Sequence, residues 1–248
     1  VEKGCREIAN FLQKLYNDPW IREDLPDMKC VGRYIIIGIA AMSLAGCAEG
    51  SSPELEVYNG LEKVVAQEKQ FADQQKPLAD LEQQENAIYD QIIELGIKDK
   101  KKIKNKAQKA QQLLDERESK LQKEEKSISA SQKQFEATEP KIQKLEDGKA
   151  KEEALELSSL MKKRYNAYQS LHDAYLHSIE LDRQLYTLFE KDNVKLENLE
   201  TQIASINATY KEVEKKKETF NTLTADYNKA KEDFYNKTKL KVKNSEDK

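Results

Sequence analysis

Residues 196–234 read LENLETQIASINATYKEVEKKKETFNTLTADYNKAKEDF. Within them Leu196, Leu199, Ile203, Ile206, Tyr210, Val213, Lys217, Phe220, Leu223, Tyr227, Ala230 and Phe234 follow one another in alternating steps of three and four. That spacing keeps one apolar stripe on a single helix face, which is the pattern of a helix packed against other helices. The alternation fails once, at two successive steps of three around Phe220, which predicts a local overwinding of the stripe.

Working back toward the N-terminus, the same kind of pattern recurs three more times. Residues 149–190 carry a wide stripe: Leu157, Leu160, Met161, Tyr165, Tyr168, Leu171, Tyr175, Ile179, Leu185, Leu188 and Phe189. A wide stripe touches more than one partner helix, so this is expected to be the most buried segment. Before it, a segment capped by Asp99 has Ile103, Ala107, Ala110, Leu114, Leu121, Ile128, Phe135, Ile142 and Leu145 on its seam. The intervening Arg117, Glu124, Ser131 and Thr138 predict a second edge that is half wet. Pro140 should bend its end and Asp147-Gly148 close it. The first segment starts at Ser52-Pro53, with Glu54 and Glu56 placed to complement the helix dipole. Its seam runs Val57, Val64, Phe71, Leu78 and then shifts to Leu81, Ile88, Ile92 and Leu95 before Gly96. Pro77 sits at the shift and predicts a kink near Lys76 or a split there.

Four segments of about 40 residues, each about 60 Å long as a helix, are joined by short turns, and short turns make neighbours antiparallel. The expected fold is all-α: an elongated antiparallel up-and-down bundle of four long helices over residues 54–238. A three-helix spectrin-like arrangement with the first segment broken at Pro77 is the alternative. Composition agrees. Of 248 residues 35% are charged and only 7% aromatic, with 8 Gly and 5 Pro, as in long helices. The net charge is −3, and residues 1–47 hold six basic and six acidic residues, so the remainder is also −3. That balance offers no footprint for nucleic acid.

Ahead of the bundle lies a different kind of sequence. Met28-Lys29-Cys30-Val31-Gly32-Arg33 is basic, and an apolar run from Tyr34 to Leu44 follows. This order belongs to a secretory signal, and the run is shorter than the roughly 20 residues a spanning helix needs. It ends in Leu44-Ala45-Gly46-Cys47, which resembles a bacterial lipobox. The resemblance implies cleavage between Gly46 and Cys47 and a diacylglyceryl group on the Cys47 thiol. Residues 28–46 are then a lipoprotein signal peptide, and 47–53 the lipidated cysteine and its tether. Residues 1–27 form an upstream extension with translation starting at Met28, and 239–248 a polar tail. Cys5, Cys30 and Trp20 would be lost on cleavage, leaving no disulfide.

No catalytic constellation stands out, and no cofactor is expected. His172 and His177 are rotated about 140° from each other on a helix and do not converge on a metal, which wants histidines four apart. Tyr165, Tyr168 and Tyr175 have helical spacing and are read as core. Lys98, Lys100, Lys101, Lys102 and Lys104, with Lys106 and Lys109 beyond, cluster at the tip between the first two segments. They either solvate that tip or touch anionic wall polymer or lipid phosphate.

The lipobox, the Glu/Lys/Gln-rich helical region after it and the tyrosine-rich stretch Met161-Lys-Lys-Arg-Tyr165-Asn-Ala-Tyr168 together resemble the YkyA-like family of cell-wall-binding lipoproteins of Firmicutes, over residues 28 to about 238. The resemblance implies a Gram-positive host, a helical bundle and a place on the outer face of the cytoplasmic membrane, held by a lipid anchor. It supplies no catalytic residue. The expected function is that of a non-enzymatic envelope protein that binds peptidoglycan, teichoic acid or an envelope protein. The alternatives are a transporter's substrate-binding lipoprotein, which is usually α/β, or a cytoplasmic or phage coiled coil if the signal is not used.

Overall fold

The computed structural model describes residues 52–96 and 99–238. Among these residues six helices follow one another: α1 (Pro53–Gln67), α2 (Lys69–Leu95), α3 (Lys100–Glu136), α4 (Glu139–Gln143), α5 (Lys149–Phe189) and α6 (Leu196–Lys237). The described residues contain no strand, and the fold is an all-α bundle of four long rods, with α1–α2 and α3–α4 each forming one interrupted rod.

The helix boundaries follow local chemistry. Ser52 Oγ accepts from the Leu55 N–H at 3.3 Å and Pro53 opens α1, so a donor that the first turn cannot use internally is satisfied. Asp99 Oδ1 accepts from the Lys102 N–H at 3.0 Å and its other oxygen pairs with Lys102 Nζ at 3.0 Å, which fixes the start of α3. Gly96 stops α2 in the left-handed region, φ 58°, where a residue without Cβ is at no cost. Pro140 opens the short α4.

Two compact units share these helices. One takes its described residues from 74–122 and 171–215, the other from 52–73, 123–170 and 216–238. They are called here the Arg117 unit and the Arg164 unit, after the side chain at the centre of each.

In the Arg117 unit, Leu78, Ile92, Ile103, Leu114, Leu121, Tyr175, Ile179, Tyr186 and Val213 form one apolar cluster. Ile93, Leu185, Leu199, Ile203, Ile206 and Tyr210 form a second. Lys106 bonds Gln91 and Arg117 bonds Glu85, so α2 and α3 run antiparallel. The short turn 190–195 folds α6 back antiparallel to α5, and Gln202 donating to the Leu181 carbonyl and Tyr210 donating to Asp182 tie the two together.

In the Arg164 unit the centre is aromatic. The Phe71, Tyr168 and Phe220 rings meet pairwise at 5.6–5.9 Å between centroids. Such tilted, edge-on contacts add roughly 0.5–1.5 kcal/mol each beyond area burial. Helix α1 packs against α4 so closely that a Cβ on Gly60 would sit 2.5 Å from the Thr138 side chain. The start of the first rod is thus level with Pro140, the register expected of an up-and-down bundle.

Three expectations need correction. First, of the kink or split expected at Pro77, the split does not occur there. Pro77 lies inside α2, and the break falls at Glu68. There the Glu68 N–H bonds back to the Val65 carbonyl at 3.1 Å, a tighter turn than the helix itself makes. Ser127 of α3 holds the break open: its Oγ donates to the Gln67 carbonyl and accepts from the Phe71 N–H at 3.0 Å. Second, the polar edge of α3 is not half wet. Arg117, Glu124, Ser131 and Thr138 are all buried. Third, the α6 seam is not overwound at Phe220. Thr224 is buried there rather than Leu223, so the alternation of three and four continues unbroken through Thr224 and Tyr227.

The same correction applies to the first rod. Val57, Leu61, Val64, Glu68, Phe71, Leu78, Glu82, Glu85 and Ile92 are all buried and fall on one heptad frame that continues past Leu78, with Leu81 buried and Ile88 and Leu95 half-buried beside it, where the seam was expected to move. On α5, Arg164, Ser178 and Asp182 are buried in frame with Leu157, Met161, Tyr168, Tyr175 and Leu185. Every long rod therefore carries ionic or hydroxyl side chains at positions that face the core.

Candidate functional site

The buried polar seam residues gather in two clusters, one in each unit. In the Arg164 unit one carboxylate meets the central guanidinium. Arg164 Nη1 and Nη2 grip Glu68 Oε1 and Oε2 at 2.7 and 2.8 Å, a two-pronged pair. Its Nε donates to Thr224 Oγ1 at 2.9 Å, and that hydroxyl donates on to the Phe220 carbonyl. Ser131 donates to Glu68 Oε1 at 2.7 Å and accepts from the Tyr165 hydroxyl at 2.8 Å. The guanidinium also faces the Phe220 ring at 5.0 Å. One cation meets one anion and every nitrogen of the cation is used. The helix break falls at the same residue that supplies the anion.

The Arg117 unit is not balanced. Arg117 is fully buried, and three carboxylates approach it. Glu85 Oε2 lies 2.5 Å from Nη1, Asp182 Oδ2 3.4 Å from the same nitrogen, and Glu82 Oε1 3.5 Å from Nη2. Tyr210 donates to Asp182 Oδ2 at 2.6 Å, and Tyr186 to Glu85. The guanidinium stacks over Tyr175 at 5.1 Å, and Arg117 Nε has no hydrogen-bond partner.

Electrostatics follow from that count. Glu85 Oε2 and Asp182 Oδ2 share one nitrogen, so they lie within about 6 Å of each other. Two like charges at about 6 Å repel by roughly 3 kcal/mol at an effective dielectric of about 20. Burial, with Glu85 adding to it, pushes the Asp182 carboxyl up to about 8 against the pull of Arg117 and the Tyr210 hydrogen bond. Burial likewise raises Glu85 above the usual carboxylate range, with Arg117 only partly offsetting it. Burial works against the Arg117 charge, but Tyr210 and the three carboxylates outweigh it and hold the guanidinium protonated.

On the surface, the Arg164 unit has a cleft of about 620 Å³ between α5 and α6. Glu153, Glu156 and Leu160 of α5 line one side, and Asp226, Lys229, Asp233 and Lys237 of α6 the other. The sequence singled out none of these carboxylates, since Glu and Lys occur throughout.

The residues expected to carry function are distributed differently. Leu44, Ala45, Gly46, Cys47 and Lys98 lie outside the described residues. Lys100, Lys101, Lys102 and Lys104 are exposed at the start of α3. Lys100 Nζ is committed to the Asp192 carbonyl at 3.0 Å and Lys102 to Asp99, so two of the four stabilise local structure. Tyr165, Tyr168 and Tyr175 are core, as their spacing required. His177 is exposed, and no group of three or more His, Cys, Asp or Glu among the described residues could hold a metal ion. No described helix is long and apolar enough to cross a membrane.

Residues 52–237, almost the whole bundle, match the YkyA family, whose description is "Putative cell-wall binding lipoprotein". The chain belongs to this family. A relative in Bacillus subtilis (strain 168), "Uncharacterized lipoprotein YkyA", is 33% identical over 205 residues, 83% of this chain and 92% of that protein. The fold is also that of a crystal structure described as a conserved protein of unknown function from Staphylococcus aureus. That likeness has a TM-score of 0.62 at 15% identity, over 79% of this chain and 100% of the other. Membership of the YkyA family makes this a lipoprotein-family chain and gives its bundle a family description of wall binding.

Proposed function

We propose that the chain is a non-enzymatic lipoprotein, held by a diacylglyceryl group on Cys47 at the outer face of the cytoplasmic membrane, and that its bundle binds cell wall or an envelope protein. The observation that carries the anchor is positional. Leu44-Ala45-Gly46-Cys47 ends a basic-then-apolar leader, and the family match begins five residues after Cys47, at residue 52. The bundle therefore follows the cysteine with only a short tether between them.

The non-enzymatic reading is supported by where the reactive groups are. Arg117, Glu82, Glu85 and Asp182 are buried and pair with one another, as do Arg164 and Glu68. What the bundle offers a partner is its charged surface. Lys101 and Lys104 on the α3 start are exposed and suit teichoic acid phosphates, or the phosphates of a membrane surface.

The test is sedimentation of the full protein with purified cell walls, with and without their teichoic acid, beside a Lys101→Gln/Lys104→Gln variant. Binding to the intact wall should fall severalfold in the variant and with added salt, because screened surface charge is what is removed. Failure of the unmodified protein to sediment with walls, together with failure to capture any envelope protein, would remove the binding half of the proposal. The anchor half is tested separately, through Cys47.

A further inference from the structure

The Arg117 cluster places three carboxylates, on two helices, around one guanidinium in a fully buried site. From α2 come Glu82 and Glu85, from α3 Arg117, from α5 Asp182, and from α6 Tyr210. Tyr175 and Tyr186 on α5 and Tyr89 on α2 complete the titratable groups around it. Were all three acids ionised, the site would hold two negative charges in excess, and an uncompensated buried charge neutralises by taking a proton rather than remaining charged.

We infer that this cluster is a built-in proton switch: one proton is held between Asp182 and Glu85 in mildly acidic to neutral surroundings, and its loss in alkaline surroundings weakens the packing of the Arg117 unit. The geometry suits this. Both acids share Arg117 Nη1 at 2.5 and 3.4 Å, so neutralising either one leaves the guanidinium with an ionised partner. The Arg164 cluster serves as the internal contrast, since a single carboxylate, Glu68, pairs with that guanidinium.

The sign follows from linkage. Asp182 is raised in the folded chain, so between its ordinary carboxylate value and about 8 the folded state binds more protons than the unfolded one. The contribution is fully present below that window and is lost as pH climbs through it. One proton makes the unfolding equilibrium constant grow by up to about tenfold per pH unit inside the window. This property belongs to the fold itself and stands whatever the surface binds.

The experiment is denaturant unfolding of the full chain from pH 5 to pH 9, for the unmodified protein and Asp182→Asn. The variant keeps an oxygen for the Tyr210 hydrogen bond and removes the ionisation. The unmodified protein should lose stability across the range, and the variant should lose at least fivefold less in the unfolding constant. Parallel pH profiles would overturn the inference. Infrared spectroscopy of the unmodified protein gives an arm that needs no variant: a protonated-carboxyl carbonyl band present at pH 7 and gone by pH 9 supports the switch. Absence of that band at pH 7 overturns it, whether or not the variant folds.

Discussion

Arg117 shows how much one side chain can carry in a bundle of this kind. It binds Glu85 most closely and also approaches Asp182 and Glu82. Its truncation would leave acids with no cation in the Arg117 unit's core. Removing one partner of a buried ion pair costs about 3–5 kcal/mol, so Arg117→Ala should lower the urea midpoint by that equivalent at pH 7. Part of the loss should return at pH 5, where the acids take up protons more readily. At this scale the sequence was least legible. An arginine in the core and an arginine on the surface are spelled alike, and polarity argued for the surface. What identified Arg117, Glu68, Glu82, Glu85, Arg164 and Asp182 as core was their heptad position, a signal already present in the spacing but outweighed by their charge. Partners cannot be read from one helix, because each cluster is completed by residues from other helices, 28 to 96 positions away in the chain.

The long helices themselves were legible, and their ends nearly so: Ser52-Pro53, Asp99, Gly96 and Gly148 each mark a boundary where local chemistry alone settles it. The break in the first rod was not. Proline has the stronger local argument, yet Pro77 is accommodated within α2 while the chain breaks at Glu68. The reason is tertiary: Ser127 satisfies the groups freed at the break, and Arg164 draws the Glu68 carboxylate inward. A proline inside a helix removes one backbone hydrogen bond and costs up to about 3 kcal/mol. Pro77→Ala should therefore stabilise the protein, by about 1–3 kcal/mol in thermal or urea unfolding, without closing the break at Glu68. If Pro77 were what divides the rod, the substitution would instead fuse α1 with α2, which amide exchange at residues 66–72 would reveal as new protection. The α6 seam teaches the same lesson in reverse. Leu223 is the more apolar choice but Thr224 is the buried one, because Thr224 accepts from Arg164.

For the whole molecule, fold class and family agree with what periodicity and the lipobox suggested, and the family match spans the bundle. The function is less legible for a physical reason. The residues that hold the bundle together are locked inside it. A binding surface of lysines and glutamates looks the same as any solvated helix face, so the sequence locates the protein better than it names its ligand. The reading as an anchored envelope protein rests on Cys47, and the intact mass of the cell-associated protein tests it most directly, with metabolic palmitate labelling and a Cys47→Ser variant alongside. The account predicts a chain that begins at Cys47, carries a diacylglyceryl group and loses both label and membrane attachment in the variant. An unlabelled, uncleaved chain retaining residues 28–46 would contradict it.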